Sequence, residues 1–429
     1  MRLCRHQYAT LPAVRIVWGL VALVLSGSAW AGGTEIVEQS AAAVGVAGAM
    51  TGRADEADAA FYNPAGLTRQ RGLGLTVGGT FVAWQGQVTN GVDQVSSHGY
   101  FGLPTVYLTQ RLGPHLAVGI GVFSQFAQKV EYPAAWSGAL GGVRIDLTTT
   151  TINPQVSLRP HPRFSVGFGL TVVPASLSMS HDTGSPGAGG VSSATSGVGI
   201  GANVGVLVDV VPRWLRVGVA YRSGVDLTMN GQGQSGMSGQ PALALDAALA
   251  YSTPHNLALG LSSQVRPQLT LSADVRWTLW APSSAPLSTI LTMPGEKPTS
   301  SSYRDNVDTN LRDSIAVRVG AEYRHLVGKE LELPLRLGLG VDTTPVRQGW
   351  LVGLQPDNLR VVIGLGLGVR YGALGADLGY SIQIVTDRTS TSPLDRNAVF
   401  GALQHVASLS VSVRLEDFLG RLNVPEYKH

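Results

Sequence analysis

The chain has 429 residues, of which 44% are hydrophobic, 14% are charged and 54 are glycine. This mixture is too apolar for a disordered protein, and the single cysteine, Cys4, excludes a small domain held together by disulfides. The net charge of +3 comes from three arginines near the start, because the rest of the chain carries 28 basic and 28 acidic side chains. The charge therefore does not predict a nucleic-acid partner.

Residues 1–31 predict a cleaved secretory signal peptide. Three arginines form a basic start, an apolar stretch follows at 16–25, and Ala29-Trp30-Ala31 supplies the small residues that signal peptidase requires. Beyond this segment no apolar run reaches the roughly 18–20 residues of a transmembrane helix. A membrane protein without spanning helices must be a closed β-barrel, because only closure satisfies every backbone hydrogen bond in lipid.

Residues 32–71 form the next predicted unit, a small helical segment. Small side chains fill 40–50, and an acidic, alanine-rich stretch that is permissive for helix follows. Pro64 ends this helix, because its ring disfavours helical geometry at the preceding Asn63. The pattern alone is compatible with two placements, a plug inside a barrel or an arm in the periplasm.

Residues 72–415 alternate with a period of two, which predicts β-strands with two different faces. In 359–371, for example, one face carries Leu, Val, Ile and Tyr, and the other carries mostly Gly and Arg. The clearest alternations run for ~9–13 residues, which suits tilted membrane-spanning strands, whereas strands of a soluble sandwich are nearer ~5–6 residues. We therefore predict an all-β fold, a transmembrane antiparallel β-barrel of about fourteen strands.

The predicted strands alternate with short turns and long links. The strands lie near 72–86, 101–111, 115–126, 143–159, 163–180, 196–211, 214–228, 255–265, 268–280, 313–326, 333–345, 358–371, 373–386 and 403–415. The long links are predicted at 87–100, 127–142, 181–195, 229–254, 281–312, 346–357 and 387–402. In outer-membrane barrels the long links lie on the extracellular rim.

The stretch at 40–67, SAAAVGVAGAMTGRADEADAAFYNPAGL, resembles the N-terminal hatch of the FadL/TodX family of transporters for long-chain fatty acids and hydrocarbons. Three further stretches resemble family motifs in the family's order: SQFAQKVEYPAAW at 124–136, LRLGLGVDTTPV at 335–346 and PDNLR at 356–360. The resemblance implies a barrel of about fourteen strands with residues 32–71 as a hatch in its lumen.

The resemblance also implies a route for cargo. Cargo would enter through an apolar groove between outer loops, move to a site beside the hatch, and leave sideways through a kink in the third strand. The chain departs from the family at 416–429, a tail after the last predicted strand, where the family usually ends on an aromatic residue.

The Asn63-Pro64-Ala65 motif is the first candidate site. A helix stop and turn would account for it, whereas the resemblance implies a hatch hinge beside the binding site. Phe61, just before the motif, is a candidate either for ligand contact or for anchoring the hatch to the barrel wall.

The third strand and the loop after it supply further candidates. Phe123 lies on the inner face among glycines, and Phe126 follows the predicted kink, so both are expected to contact the hatch or a ligand. Tyr132, Trp136 and Leu140 in the following loop would form a hydrophobic dock if exposed together. A loop packed on itself over the barrel mouth is the alternative.

Inner-face arginines are candidates for meeting a cargo carboxylate. Most must pair with acidic side chains or with the hatch, because an unpaired charge in a dry lumen is costly. Arg318 and Arg336 are chosen here, because small residues lie near them in the sequence and leave room.

Passive uptake of a hydrophobic small molecule, a fatty acid or hydrocarbon, across a Gram-negative outer membrane is the leading hypothesis. Outer membrane lipid, lipopolysaccharide and the barrel assembly machinery are the other expected partners. A general porin for small polar solutes, or a surface receptor or adhesin, is the alternative. The nine histidines show no metal-ligand spacing and no phosphate-binding loop precedes a helix, so no enzyme, metal site or cofactor is predicted.

Overall fold

The computed structural model describes most of the chain after the predicted signal peptide. The described residues are 34–91, 93–132, 143–182, 190–212, 214–236, 241–280, 287–299, 302–307, 310–351, 357–392 and 397–415. The predicted signal peptide at 1–31 and the tail at 416–429 lie outside them.

The described residues contain short helices, mostly near the start, and twenty β-segments. The helices are Ala41–Gly45 and Ala59–Tyr62, with 3-10 turns at Pro64–Arg69 and Gln348–Trp350. The strand segments are β1 Leu73–Asn90, β2 Asp93–Arg111, β3 Leu116–Phe123, β4 Ala127–Tyr132, β5 Val143–Thr149, β6 Thr151–His161, β7 Phe164–Asp182, β8 Gly190–Val211, β9 Leu215–Arg222, β10 Asp226–Gly236, β11 Leu243–Ser252, β12 His255–Arg266, β13 Leu269–Leu279, β14 Leu287–Thr292, β15 Tyr303–Val307, β16 Ser314–Val327, β17 Leu331–Asp342, β18 Arg360–Tyr371, β19 Leu374–Thr389 and β20 Val399–Arg414.

The segments form one closed antiparallel sheet, in which β1 pairs with both β2 and β20. Six wall strands consist of two segments each, so the twenty segments make fourteen wall strands. The divided wall strands are β3 with β4, β6 with β5, β9 with β10, β12 with β11, β13 with β14, and β16 with β15. The predicted fourteen-stranded barrel is confirmed.

The wall has two halves of opposite polarity, and β7 shows both. In its first part, 164–172, Phe168 and Leu170 are about half exposed on the outside, while glycines and hydroxyl side chains face the lumen. In its second part, 173–182, serines face outward and Leu177 is buried inside. We call the part of the wall next to the short turns the lower half, and the part on the long-link side the upper half.

This inversion explains where the predicted strand boundaries are wrong. The expected long links at 87–100 and 229–254 are mostly strand, and the link at 281–312 contains β14 and β15. In the upper half the outward face is polar, so these segments lack the apolar outer face that is typical of a membrane-spanning strand. The sequence pattern therefore predicts long links there instead of strands.

Residues 34–71 lie inside the lumen of the lower half. Ser40 caps the helix Ala41–Gly45, since its hydroxyl accepts a hydrogen bond from the Ala43 amide at 3.1 Å. The wall faces this hatch with glycines: a Cβ on Gly338 would lie 2.3 Å from the amide nitrogen of Ala47. The glycines of the inner face thus let the hatch backbone pack directly on the wall. No helix of the described residues is long and apolar enough to cross a membrane.

Candidate functional site

Apolar side chains fill the interior of the upper half along neighbouring wall strands. We call this set the upper apolar cluster; it contains Ile145, Leu147, Val173, Ala175, Leu177, Met179, Val225, Leu227, Met229 and Leu249, with Tyr251 packed against them. Burying apolar surface yields about 25 cal/mol per Å². The interior of the upper half is therefore apolar along these strands.

A second apolar cluster lies under the long links beside the third wall strand. Tyr132 is only 3% exposed and packs there with Phe126 and Trp280. The rings of Phe126 and Trp280 meet edge to face, with centroids 6.1 Å apart. Trp136 and Leu140, the other residues of the predicted dock, lie outside the described residues. The dock therefore stays a prediction.

The third wall strand is interrupted between β3 and β4, at 124–126. At this kink the chain pairs with the start of the hatch, because Glu35 and Phe126 form an antiparallel bridge. The Ile36 amide donates to the Gln125 carbonyl at 2.8 Å, and the Ala127 amide donates to the Thr34 carbonyl at 3.3 Å. We call residues 34–39 the strap, since they hold the kink from inside the lumen.

Beside the kink the wall has a gap. The ladder between β2 and β3 ends at the pair Val106–Val122, and in the described residues β4 pairs only with β5. β4 instead lies on the lumen side of β1 and β2. The indole of Trp84 on β1 donates to the Lys129 carbonyl at 2.7 Å, and the Ser97 hydroxyl on β2 donates to the Glu131 carbonyl at 2.5 Å. Residues 99–105 of β2 therefore have ladder partners on β1 only.

The gap is closed from the lumen by apolar side chains of the strap and wall. Ile36 of the strap packs in one buried cluster with Leu103 on β2 and Ala127 on β4, together with Val44, Val82 and Val406. We call this set the gap cluster. Ile36 is therefore the strap side chain that fills the gap.

Two aromatic rings and two guanidinium groups meet where the hatch faces the kink. Phe61 packs edge to face on Phe123 with centroids 5.1 Å apart, and both rings are buried. Arg222 lies 5.4 Å from the Phe61 ring and 5.2 Å from the Phe123 ring, while Arg276 lies 5.6 Å from the Phe61 ring. Such cation–π contacts draw the two arginines toward the same aromatic pair.

Glu35 of the strap is held by several donors from the wall and the kink. It forms an ion pair with Arg276 at 3.0 Å, and it accepts hydrogen bonds from the Thr278 hydroxyl at 3.0 Å and the Gln125 amide at 3.1 Å. The side-chain amide of Asn256 lies 3.2 Å from both carboxylate oxygens when its nitrogen is turned toward them. Glu35 is 6% exposed, so the pair is shielded from water.

Asn63 attaches the hatch to the wall. Its amide donates to the carbonyls of Thr51 at 3.1 Å and Val206 at 3.0 Å, and its oxygen accepts from the Ala65 amide at 3.1 Å. Asn63 thus caps the 3-10 turn that Pro64 begins, and it fixes that turn against the barrel wall. The motif lies on the hatch–wall contact, and its predicted role as a hinge stays a prediction.

Arg318 and Arg336, the arginines chosen from the sequence, are both engaged by acidic side chains. Arg318 pairs with Asp342 at 2.7 Å and with Glu38 of the strap at 2.9 Å. Arg336 pairs with Glu322 at 2.6 Å and with Asp377 at 2.7 Å, and its side chain is 0% exposed. Both arginines tie the wall to itself or to the hatch, which is the structural pairing expected for most lumen arginines.

The upper apolar cluster, Glu35 and Arg276 are not among the site residues predicted from the sequence. The sequence does carry a pattern that indicates the cluster. Along β7 the face with the large apolar residues changes from one side of the strand to the other near Pro174. The sequence also carries a pattern that indicates the gap. Pro104 lies within β2, and a proline in a strand is typical of an edge without a hydrogen-bonded neighbour. Among the described residues, no group of three or more His, Cys, Asp or Glu side chains could hold a metal ion.

Comparison with known proteins gives one family and several solved structures. Residues 22–413 match the profile of the family described as outer membrane protein transport protein (OMPP1/FadL/TodX). No curated protein sequence matches significantly.

The similar solved structures share the fold at low sequence identity. A Pseudomonas aeruginosa FadL homologue is 18% identical, with a TM-score of 0.73 over 90% of this chain and 100% of its own. The Ralstonia pickettii toluene transporter TbuX is 19% identical, with a TM-score of 0.68 over 87% and 98% of the two chains. The Pseudomonas putida toluene transporter TodX is 15% identical, with a TM-score of 0.65 over 90% and 98%.

Proposed function

This chain belongs to the OMPP1/FadL/TodX family of outer membrane transport proteins, and we propose that it takes up hydrophobic small molecules and releases them sideways into the bilayer. The gap between β2 and β4 carries the proposal. In the described residues β2 and β4 share no ladder there, and the lining is apolar on the lumen side.

Cargo would first enter the upper half of the barrel. The upper apolar cluster offers it a hydrophobic interior, while the outward face of the same strands is polar and suits water. Each CH₂ group removed from water contributes about 0.8 kcal/mol. A molecule with several apolar carbons is therefore drawn into this interior before it meets the hatch.

The hatch directs the cargo toward the gap. Below the upper interior the lumen is filled by residues 34–71, and ion pairs hold this plug to the wall, for example Arg53 with Glu322 at 2.9 Å. Apolar side chains line the gap, and of the described residues the strap crosses it. Lateral exit leads cargo from one apolar environment to another, so it avoids the desolvation cost of a polar path.

Fatty acids and hydrocarbons both fit this route. Solved structures of similar fold include a FadL homologue and toluene transporters. The apolar interior supports either class, and the arginines at the kink support cargo that ends in a carboxylate.

A reversible lock on the strap tests lateral release. Glu35 and Phe126 are direct partners in an antiparallel bridge, a position where a pair of cysteines can form a disulfide. We expect Glu35→Cys/Phe126→Cys to take up palmitate and toluene when reduced and to lose most uptake when oxidised. Uptake into cells carrying the variant, with and without reductant, measures this.

The oxidised and reduced forms of one variant control for the two substitutions. The unsubstituted chain has only Cys4, inside the predicted signal peptide, so oxidant alone should leave its uptake unchanged. Full uptake by the fully cross-linked variant would show that cargo does not pass the strap.

A further inference from the structure

The donors around Glu35 form a complete carboxylate-binding site. A guanidinium, a hydroxyl and two side-chain amides converge on its two oxygens within 3.0–3.2 Å. Arg276, Thr278 and Asn256 come from the wall, on β13 and β12, and Gln125 comes from the kink. Charge-assisted hydrogen bonds of this kind are about twice as strong as neutral ones. The wall therefore holds a binding site that any carboxylate of suitable reach could occupy.

A second cation beside this site has no acidic partner. Arg222 donates to the Phe61 carbonyl at 3.1 Å and more weakly to the Asn153 side-chain oxygen at 3.4 Å. No carboxylate of the described residues forms an ion pair with it, although it is only 9% exposed. Two guanidinium groups thus share one carboxylate, Glu35, around the Phe61 ring. A buried cation without a counter-charge is costly, and a second carboxylate would remove that cost.

The position of Glu35 links this site to the gap. Glu35 is the strap residue that bridges to Phe126, and the next residue, Ile36, fills the gap. Whatever holds the Glu35 carboxylate therefore also holds the strap in the closed position.

We propose that Glu35 is an internal stand-in for the carboxylate of the cargo, and that an amphiphilic monocarboxylate opens the gap by competing with Glu35 for Arg276. This inference rests on the proposed function, and it names the cargo class that the strap recognises. When the cargo carboxylate binds Arg276, Glu35 shifts with the strap toward Arg222, so each guanidinium faces one carboxylate and the buried charges stay balanced. A neutral hydrocarbon makes no such exchange.

A substitution at Glu35 with a matched partner at Glu38 tests the competition. In Glu35→Gln the competing charge is gone, so palmitate binding to purified protein should tighten about tenfold, equivalent to about 1.4 kcal/mol. Methyl palmitate, which has the same chain without the charge, should bind as before. Glu38→Gln removes another buried strap carboxylate but leaves the charge of Glu35 in place, so any change in affinity should be the same for palmitate and for methyl palmitate.

Release of the strap can be followed without altering the site. In Thr34→Cys a single thiol lies next to Glu35, and its rate of maleimide labelling reports strap opening. Palmitate should raise this rate several-fold over methyl palmitate, and Arg222→Met should abolish the difference. The unchanged Glu35 site keeps this measurement valid even if Glu35→Gln fails to fold.

The outcomes separate the two proposals. Equal effects of palmitate and methyl palmitate on labelling, or a Glu35→Gln variant with unchanged palmitate affinity, would overturn the stand-in role while leaving hydrophobic uptake intact. Absence of binding and of uptake for palmitate, its ester and toluene alike would overturn the proposed function itself.

Discussion

Apolar side chains alternate with small or polar ones along the strands of both halves of the barrel. In the lower half the apolar side chains point outward, and in the upper half they point inward. In the lower half Leu365 is 55% exposed to the outside, and its neighbour Gly364 packs on the hatch. In the upper half Thr228 faces outward, and its neighbour Leu227 is 2% exposed inside. The outer solvent differs between the halves, lipid for one and water for the other, and each outer face matches its solvent.

This difference decides what each half can do. The lower half is continuous, residues 34–71 lie inside it, and its apolar outward face matches a membrane span. The upper half has an apolar interior, and four of its wall strands are divided near the boundary between the halves, at 124–126, Thr150, 223–225 and 253–254. Breaks in the ladder at this level let β4 leave the wall, which creates the gap. The boundary is therefore where the wall is interrupted, and the proposed lateral exit lies at this level.

The largest expected effect comes from the interior of the upper half. Leu227→Ala removes a side chain buried in the upper apolar cluster and should lower the free energy of unfolding by about 2–5 kcal/mol. Thr228→Ala, one residue away on the outward face, should change it by less than about 0.5 kcal/mol. Urea unfolding in lipid vesicles measures both. Equal costs would mean that the interior of β10 is not a packed apolar region.

The second-largest expected effect is that of a charge placed on the outer face, which should lower the free energy of unfolding in the lower half but not in the upper half. Leu337, near the middle of β17, is 51% exposed toward lipid, so Leu337→Arg should cost about 2–4 kcal/mol of unfolding free energy. Ser178 faces outward in the upper half, and Ser178→Arg should cost less than about 0.5 kcal/mol. The same vesicle assay applies to both. A large penalty at Ser178 would place the upper half inside the membrane.

The lower half could be predicted from the sequence because its pattern is visible in residues that are neighbours along the chain. A strand with large apolar residues on one face and glycine on the other, as in β18, is readable residue by residue. The small residues of 40–50 suit close packing, and Gly45 packs on Gly366 of the wall. The upper half reverses the pattern, and nothing local says where the membrane ends. Its strands at 229–254 were therefore predicted as a link.

The candidate site could be predicted only in part because its partners are distant in sequence. Arg318 meets Glu38 across 280 residues, and Arg276 meets Glu35 across 241. Which inner-face arginine keeps an acidic partner is set by the register of the closed barrel and by the path of the hatch. Phe61 and Phe123 were chosen from sequence, and the structure brings them together, but only the three-dimensional arrangement shows that Arg222 beside them lacks a carboxylate.

The smallest expected effect is a response to pH, and it should appear in the hatch but not in the upper half. Asp58 of the hatch is 3% exposed, and burial, followed by the charge of Glu56, raises its pKa from the ordinary value of 3.8 to about 7. The hydrogen bond from Ser40 and the charge of Arg53 oppose this rise without cancelling it.

The sign of the effect follows from proton binding. Between pH 3.8 and about 7 the unfolded hatch has released the Asp58 proton while the folded hatch retains it, so hatch stability falls as pH rises through this window. Hydrogen exchange at pH 5 and pH 8, corrected for intrinsic rates, should show lower protection of the Ala59–Tyr62 amides at the higher pH. Amides of β11, which faces the upper apolar cluster, should keep their protection. Asp58→Asn cannot ionise and should remove the difference; a hatch that still loosens in that variant would assign the pH response to another group.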